Sequence, residues 1–216
     1  MTVSPEAAVR KGQVVIMERL SSRSCWIFDL DGTLTLPVHD FIFIRRELEI
    51  PAGADILGHL DALPPQEAMQ RRRRLDDIER ELAGRAKAAP GVTELLDLLQ
   101  SLGVRMGILT RNSCAMALLT LEAIGARSYF DATLVLGRDE APPKPDPAGI
   151  QHLLDRCDAG AECSVMVGDY LFDLQAGRAA GVVTIHVGRP DGQRWPEESD
   201  LMVDTLAELV KMLGSM

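Results

Sequence analysis

Four short apolar runs constrain the architecture more than any other feature of the chain. Cys25 to Leu30, Val104 to Leu109, Ser164 to Val167 and Val182 to Val187 are close to continuous in apolar residues rather than alternating. A strand with one wet face alternates with period two. An unbroken run suits a strand covered on both faces, as in a parallel sheet. Between the runs lie helical patterns: Val92 to Gly103 behind Pro90-Gly91, Ser113 to Gly125, Pro147 to Cys157 and Asp173 to Ala180, with Thr205 to Leu213 closing the chain. Ala132 to Leu136 and Asp200 to Val203 are weaker strand candidates. Strands alternating with helices imply right-handed crossovers and a doubly wound, Rossmann-like parallel α/β sheet.

One segment breaks the alternation. From Leu36 to Ala89 no strand pattern stands out, whereas Phe41 to Glu49 and Pro65 to Ala88 read as helices, with Gly53, Gly58, Pro64 and Pro65 as breaks. The expected organisation is a core of residues 1–35 and 90–216 with a helical insert at 36–89. Ser4-Pro5-Glu6 reads as a further helix start, with Ser4 as cap and Pro5 in the first helical position. A chain of 216 residues, 46% of them hydrophobic, has the apolar content for such a core and insert.

A net charge of -9 argues against nucleic acid or an anionic membrane as the main partner. No stretch reaches the roughly 20 apolar residues that span a bilayer. The opening MTVSPEAAVRKGQVVIMERL interleaves charges with apolar residues, unlike a secretory signal. The four cysteines, Cys25, Cys114, Cys157 and Cys163, form no CxxC pair and read as buried, reduced thiols of a cytoplasmic protein.

Ligands on doubly wound sheets bind at the carboxyl ends of the strands. The apolar runs end there in Asp29 and Asp31, in Thr110, and in Gly168-Asp169. In a strand, residues two apart face the same side, so Asp29 and Asp31 can face one ligand. Two carboxylates held together repel unless a cation or a reaction uses them. Gly32 permits an unusual turn behind them, and Thr33 adds a hydroxyl.

Phe28-Asp29-Leu30-Asp31-Gly32-Thr33-Leu34 resembles the first motif of the haloacid dehalogenase superfamily, in its phosphatase branch. Thr110 resembles the second motif. Lys144, within Pro142-Pro143-Lys144-Pro145-Asp146-Pro147, resembles the third, and Gly168-Asp169-Tyr170-Leu171-Phe172-Asp173 the fourth. The likeness runs from Cys25 to the end, and is nearest to phosphoglycolate-phosphatase-like members with a small helical cap after motif one.

The resemblance implies a Mg2+-dependent phosphatase acting on a small phosphorylated metabolite. Asp29 is then the nucleophile that forms an aspartyl-phosphate. Asp31 is the general acid and base. Thr110, Arg111, Asn112 and Lys144 hold phosphoryl oxygens. Asp29, Asp169 and the Asp31 carbonyl hold Mg2+, with Gly168 and Asp173 in support. Taken singly, Thr110 also reads as a helix cap, Lys144 as a loop charge, Asp169 as a turn residue and Asp173 as the cap of its helix.

Arg71-Arg72-Arg73-Arg74 circles a helix. The acidic residues Asp76, Asp77, Glu79 and Glu81 behind it suggest i,i+4 pairing on a solvated face. His39, near motif one, reads as packing or surface, Cys114 as packing and Trp195 as a loop anchor. Leu36 and Pro37 stand where many relatives with this cap carry an acidic and a small polar residue, which bears on the substrate rather than on the hydrolytic core. Asp31 argues against dehalogenation. The rival readings are a sugar phosphomutase of the same superfamily, a phosphoryl-accepting switch like a receiver domain, and a silent binding module. No oligomeric state is readable from the residues.

Overall fold

The computed structural model describes residues 24–37, 41–189 and 191–214. The expected helix behind Ser4, and His39, lie outside them. Six strands form one sheet: β1 (Cys25–Phe28), β2 (Arg105–Leu109), β3 (Val135–Leu136), β4 (Val165–Gly168), β5 (Val183–Val187) and β6 (Leu201–Val203). Their order is β3-β2-β1-β4-β5-β6, and every pairing is parallel. Strand order reverses at β1, where a doubly wound sheet opens a crevice at the strand ends.

The near-continuous apolar runs are explained by what covers them. Trp26 and Phe28 of β1 join one apolar cluster with Leu95, Leu96 and Leu99 of α4 (Val92–Ser101), Ala117 and Leu121 of α5 (Cys114–Ala123), and Leu209 of α8 (Leu206–Gly214). Cys25 and Ile27 join a second cluster on the other face. It includes Ile150 and Leu153 of α6 (Ala148–Cys157) and Ala176 of α7 (Leu171–Ala180). A buried side chain of this size contributes about 1.5–3 kcal/mol, so β1 is fixed from both sides.

Three helices fill the segment between β1 and α4: α1 (Phe41–Glu47), α2 (Ile56–Asp61) and α3 (Pro65–Gly84). They have their own apolar cluster of Ile44, Leu48, Ile50, Leu60, Leu75 and Ile78. Gly58, expected as a break, lies inside α2. The Asp55 carboxylate caps that helix by accepting the Gly58 N–H at 2.7 Å, which offsets the glycine's cost. The two chain crossings lie side by side, Thr35 bridging Ala88 antiparallel, with Leu36 N donating to Lys87 O and Ala89 N to Leu34 O, each at 2.9 Å.

The arginine run pairs only in part as expected, through the i,i+4 pair of Arg71 with Glu67, and otherwise across elements. Arg71 bonds Glu67 and Glu49, Arg72 bonds Asp61 and Arg74 bonds Glu47. Asp76 and Glu79 instead take Arg138, which follows β3. Its Nη2 lies 2.8 Å from Asp76, and its Nη1 donates to both Glu79 oxygens at 2.8 and 2.9 Å. Long-range ion pairs of this kind carry no sequence period and escape a helical-spacing argument.

Ala132 to Leu136 is strand only at its end; residues 132–134 form a 3-10 turn. The loop before α4 depends on Gly91, whose φ is 89° and whose absent Cβ leaves room for the start of α8. A Cβ there would sit 2.2 Å from Ala207 N. Gly91→Ala is expected to lower stability by roughly 3 kcal/mol, from left-handed strain plus the clash. Urea unfolding checks it, as a lower midpoint at an unchanged slope.

Candidate active site

A cavity of about 590 Å³ opens at the carboxyl ends of β1, β2 and β4 and is walled on the other side by α1, α2 and α3. Asp29, Asp31, Thr110, Arg111, Asn112, Lys144, Asp169 and Asp173 all line it. The structure therefore brings together every side chain that the sequence singled out for chemistry. Gly168, the last residue of β4, packs against Asp173, whose Cβ lies 2.3 Å from where a Gly168 Cβ would stand.

Lys144 is the hub. Its buried ammonium donates to Asp29 Oδ1 at 2.5 Å and to the Leu109 carbonyl at 2.7 Å, and lies 2.7 Å from Asp173 Oδ1. An ammonium has three protons, and these three acceptors take them. Desolvation works against the charge, but Asp173 and Asp29 outweigh it and drive the amine above its ordinary value. Lys144 is thus a fixed cation, not a loop charge.

Asp173 sits third in α7, where its carboxylate also accepts the Tyr170 N–H at 3.0 Å. It serves the helix start and the hub together. Thr110 does not cap α5; Ser113 does, accepting the Met116 N–H at 3.4 Å. The Thr110 hydroxyl accepts the Asn112 N–H at 3.1 Å, so its own proton is left to donate into the cavity. That bond also turns the Asn112 amide inward. The Asn112 side chain donates to Asp31 Oδ2 at 2.7 Å. Arg111 turns away from the carboxylates to Asp55 Oδ1, 2.6 Å off, with its guanidinium 5.7 Å from the Phe172 ring centre. Its Nε is buried without a partner.

Asp29, Asp169 and Asp173 each offer an oxygen within 4.8 Å of the others. Thr33 Oγ1 lies 3.3 Å from both Asp29 Oδ2 and Asp169 Oδ1. Gly32, with φ at 94°, lets the turn pass; a Cβ would stand 2.6 Å from Asp169 Oδ2. These donors fit a hard divalent cation, which prefers carboxylate oxygens. The three carboxylates Asp29, Asp169 and Asp173 meet two cations, Lys144 and Arg189, so the cradle keeps an excess of negative charge for a cation to answer.

Arg189 escaped the sequence reading. It follows β5 and Gly188, and its Nη1 lies 2.6 Å from Asp169 Oδ2, with the guanidinium carbon 5.2 Å from the Tyr170 ring centre. The available signal was its place just past the end of a core strand. Trp195 anchors the loop beyond, edge-on to Tyr170 and His186 with ring centres 5.4 and 5.3 Å away. Arg71 to Arg74 do not line the cavity.

With this geometry in view, the likenesses carry weight. The sequence model of the haloacid dehalogenase-like hydrolases matches residues 49–187, more than half of the chain. The chain belongs to that family. The matched span begins after Asp29 and Asp31, so the first motif stands on the geometry above.

A haloacid dehalogenase-like hydrolase domain-containing protein of Arabidopsis thaliana is 27% identical over 99% of this chain and 92% of its own length. A phosphoglycolate phosphatase of Nitrosospira multiformis is 32% identical over 84% of this chain and 82% of its own. The crystal structure of a hydrolase from Pseudomonas syringae superposes with a TM-score of 0.73, covering 89% of this chain and 99% of that one at 21% identity. The chain is an enzyme of this hydrolase family, with the family's α/β fold. Among the described residues no helix is long and apolar enough to cross a membrane.

Desolvation raises the carboxyls of Asp31 to about 6, Asp169 to about 7 and Asp173 to about 6. Neighbouring carboxylates add to the rise at Asp169 and Asp173, while Lys144 opposes it at all three. The folded chain keeps protons there that the unfolded chain, with carboxyls near 3.9, has released. The stability of the metal-free protein therefore falls as pH climbs from about 4 through about 7. A cation on these oxygens reverses the penalty, so Mg2+ should raise the melting temperature more near pH 8 than near pH 5.5. Thermal scans with Mg2+ and with EDTA test this; equal increments at both pH values would place the cation elsewhere.

Proposed function

We propose that this chain is a Mg2+-dependent phosphatase that hydrolyses a small phosphomonoester through a phosphoryl group carried on Asp29. The observation that carries the reading is the placement of Asp29 and Asp31 in one cavity with a fixed ammonium, a free hydroxyl proton and a three-carboxylate cation cradle. Mg2+ bound to Asp29, Asp169 and Asp173 would offset the repulsion between an anionic nucleophile and phosphoryl oxygens.

The chain's own residues divide the work. Lys144 holds Asp29 in place and answers the charge gathering around the phosphoryl group. With its three protons engaged, it acts through its field rather than through a new bond. The Thr110 hydroxyl donates to a phosphoryl oxygen. Asp31 is aimed by Asn112, and burial raises its carboxyl to about 6. A group with that value can give a proton to the leaving oxygen and take one from the attacking water.

The helices α1 to α3 act as a cap that sets the substrate. Arg45, on α1, has its Nε and Nη1 fixed by the carbonyls of Ala54 and Phe41 at 2.9 and 3.3 Å, and it faces the cavity with no carboxylate of the described residues at ion-pair distance. Together with the Arg111 Nε it favours an ester bearing a second anionic group. Phosphoglycolate, the substrate in the name of the Nitrosospira relative, fits that description.

Phosphate release from a panel of small esters, including p-nitrophenyl phosphate, tests the reading. Turnover should need Mg2+ and stop in EDTA. Asp29→Asn should abolish it, and Asp31→Asn should slow it about 10²–10⁴-fold. Full activity in Asp29→Asn would falsify the proposal. Isomerised sugar phosphate without phosphate release would identify a mutase instead.

The cap has its own test. Arg138→Met removes the ion pairs to Asp76 and to the buried Glu79, at a cost of up to about 3–5 kcal/mol, and loosens the cap from the strand ends. The expected result is weaker preference among esters with p-nitrophenyl phosphate still turned over. Unchanged preference would assign selectivity to the core loops.

A further inference from the structure

Away from the cavity, two thiols meet inside the core. Cys25 opens β1 and Cys157 closes α6, and their Sγ atoms lie 2.8 Å apart although 132 residues separate them in sequence. Both side chains are fully buried, and neither is used by the chemistry proposed above. We propose that Cys25 and Cys157 are an oxidation site: a dithiol that hydrogen peroxide converts into an intramolecular disulfide.

Three features support this. The first is contact. A disulfide requires the two sulfurs to be held within reach of each other, and a strand start and a helix end pinned in one apolar cluster hold them 2.8 Å apart. The second is charge. Arg105 pairs with Cys25 across the sheet. Its Nη2 donates to the carbonyl of Asp158, the residue after Cys157, at 3.2 Å, and its buried Nε has no partner. A guanidinium beside the pair favours a thiolate there. The hydrogen bond from Cys25, together with Arg105, holds the Cys157 thiol below its ordinary value against burial, whereas the same bond and burial drive Cys25 up. Either sulfur can donate in that contact; the guanidinium and the nearness of solvent favour Cys157 as the attacking thiol. The third is depth. Cys157 lies directly between the exposed Arg156 and Asp158 at the end of its helix, one residue from solvent on either side. Fraying of that last turn is enough to admit a small oxidant.

The chemistry balances with peroxide as the oxidant. The Cys157 thiolate attacks one peroxide oxygen, the O–O bond breaks, and a sulfenic acid forms as hydroxide leaves and becomes water. The Cys25 sulfur then attacks the sulfenic sulfur. The S–S bond forms, the S–O bond breaks, and a second water carries off the Cys25 proton. Two thiols lose two electrons in total, and one peroxide gains them. The product ties the start of β1, four residues before Asp29, to the end of α6.

The test uses the full chain, reduced, exposed to a few equivalents of hydrogen peroxide and then alkylated. Non-reducing peptide mapping by mass spectrometry should find the Cys25 and Cys157 peptides joined. The melting temperature should rise by about 5 °C or more, because the link closes a long loop, and dithiothreitol should reverse both changes. In Cys157→Ala the linked peptide and the shift should disappear, while Cys114→Ser and Cys163→Ser should leave them intact. If Cys25→Ser does not fold, Cys157→Ala alone still decides. The proposal is overturned if both thiols remain free after peroxide, or if oxidation falls on Cys114 or Cys163 while the pair stays reduced. A thermal shift that persists in Cys157→Ala would also overturn it.

Discussion

The site depends on one buried ammonium. Lys144 reaches the end of β1 through Asp29, the end of β2 through the Leu109 carbonyl and the first turn of α7 through Asp173. Three elements that converge on the cavity are thereby tied at one atom. A desolvated cation is tolerated only where its donors are used and its charge is answered, and both conditions hold here. The tie works in both directions. Without Lys144, Asp29 and Asp173 would be two buried acids with no cation, and both would take up protons. Position and ionisation of the site are thus a single property.

The helical segment is joined to the core by a different logic. Its apolar residues are spent on one another, in the cluster of Ile44, Leu48, Ile50, Leu60, Leu75 and Ile78. Its links to the sheet are charged. Arg138 after β3 meets Asp76 and Glu79, and Arg111 after β2 meets Asp55. Both arginines leave from strand ends, the same edge that carries the carboxylates. The Arg138 pair is nearly sealed, with 10% and 7% of the Arg138 and Glu79 side chains exposed. The Arg111 pair is far wetter, at 34% and 53%, and is worth correspondingly less. The firm contact lies on α3 and the weak one beside α2, over the cavity mouth. Any opening of the cavity is cheapest at the Arg111 side.

Much of this was legible in the residues. Continuous apolar runs ending in polar residues identify strands buried on both faces and point to the end where ligands gather. The motif order then gathers Asp29, Asp31, Thr110, Lys144 and Asp169, which the fold brings to one cavity. What escaped had no periodicity to announce it. The short helix α2 contains Gly58 and depends on a side-chain cap from Asp55. Apart from the i,i+4 pair of Arg71 with Glu67, the acidic partners of Arg71, Arg72 and Arg74 come from outside their helix. Arg189 belongs to a loop whose path is set by Trp195 packing on Tyr170 and His186. Arg111 is drawn off by Asp55, across a sequence distance of 56 residues. Each is a long-range choice between polar partners, where many pairings are compatible with one sequence and tertiary packing selects one.

Two aspartates end the same strand, and their surroundings drive them apart. Asp29 faces inward, with one oxygen on Lys144 and the other within reach of the Thr33 hydroxyl. Asp31 is half-buried at the cavity wall, accepts from a neutral amide and feels Lys144 through its field. A carboxylate beside a fixed cation is suited to remain ionised once a metal shares its charge. Burial raises both carboxyls, and the one aimed by a neutral amide is suited to exchange a proton. Environments that separate two otherwise identical acids are how one strand end can supply both a nucleophile and an acid. Gly32 makes the division possible. Its turn carries the chain away between the two carboxylates and the Asp169 side chain, where any Cβ would collide with Asp169.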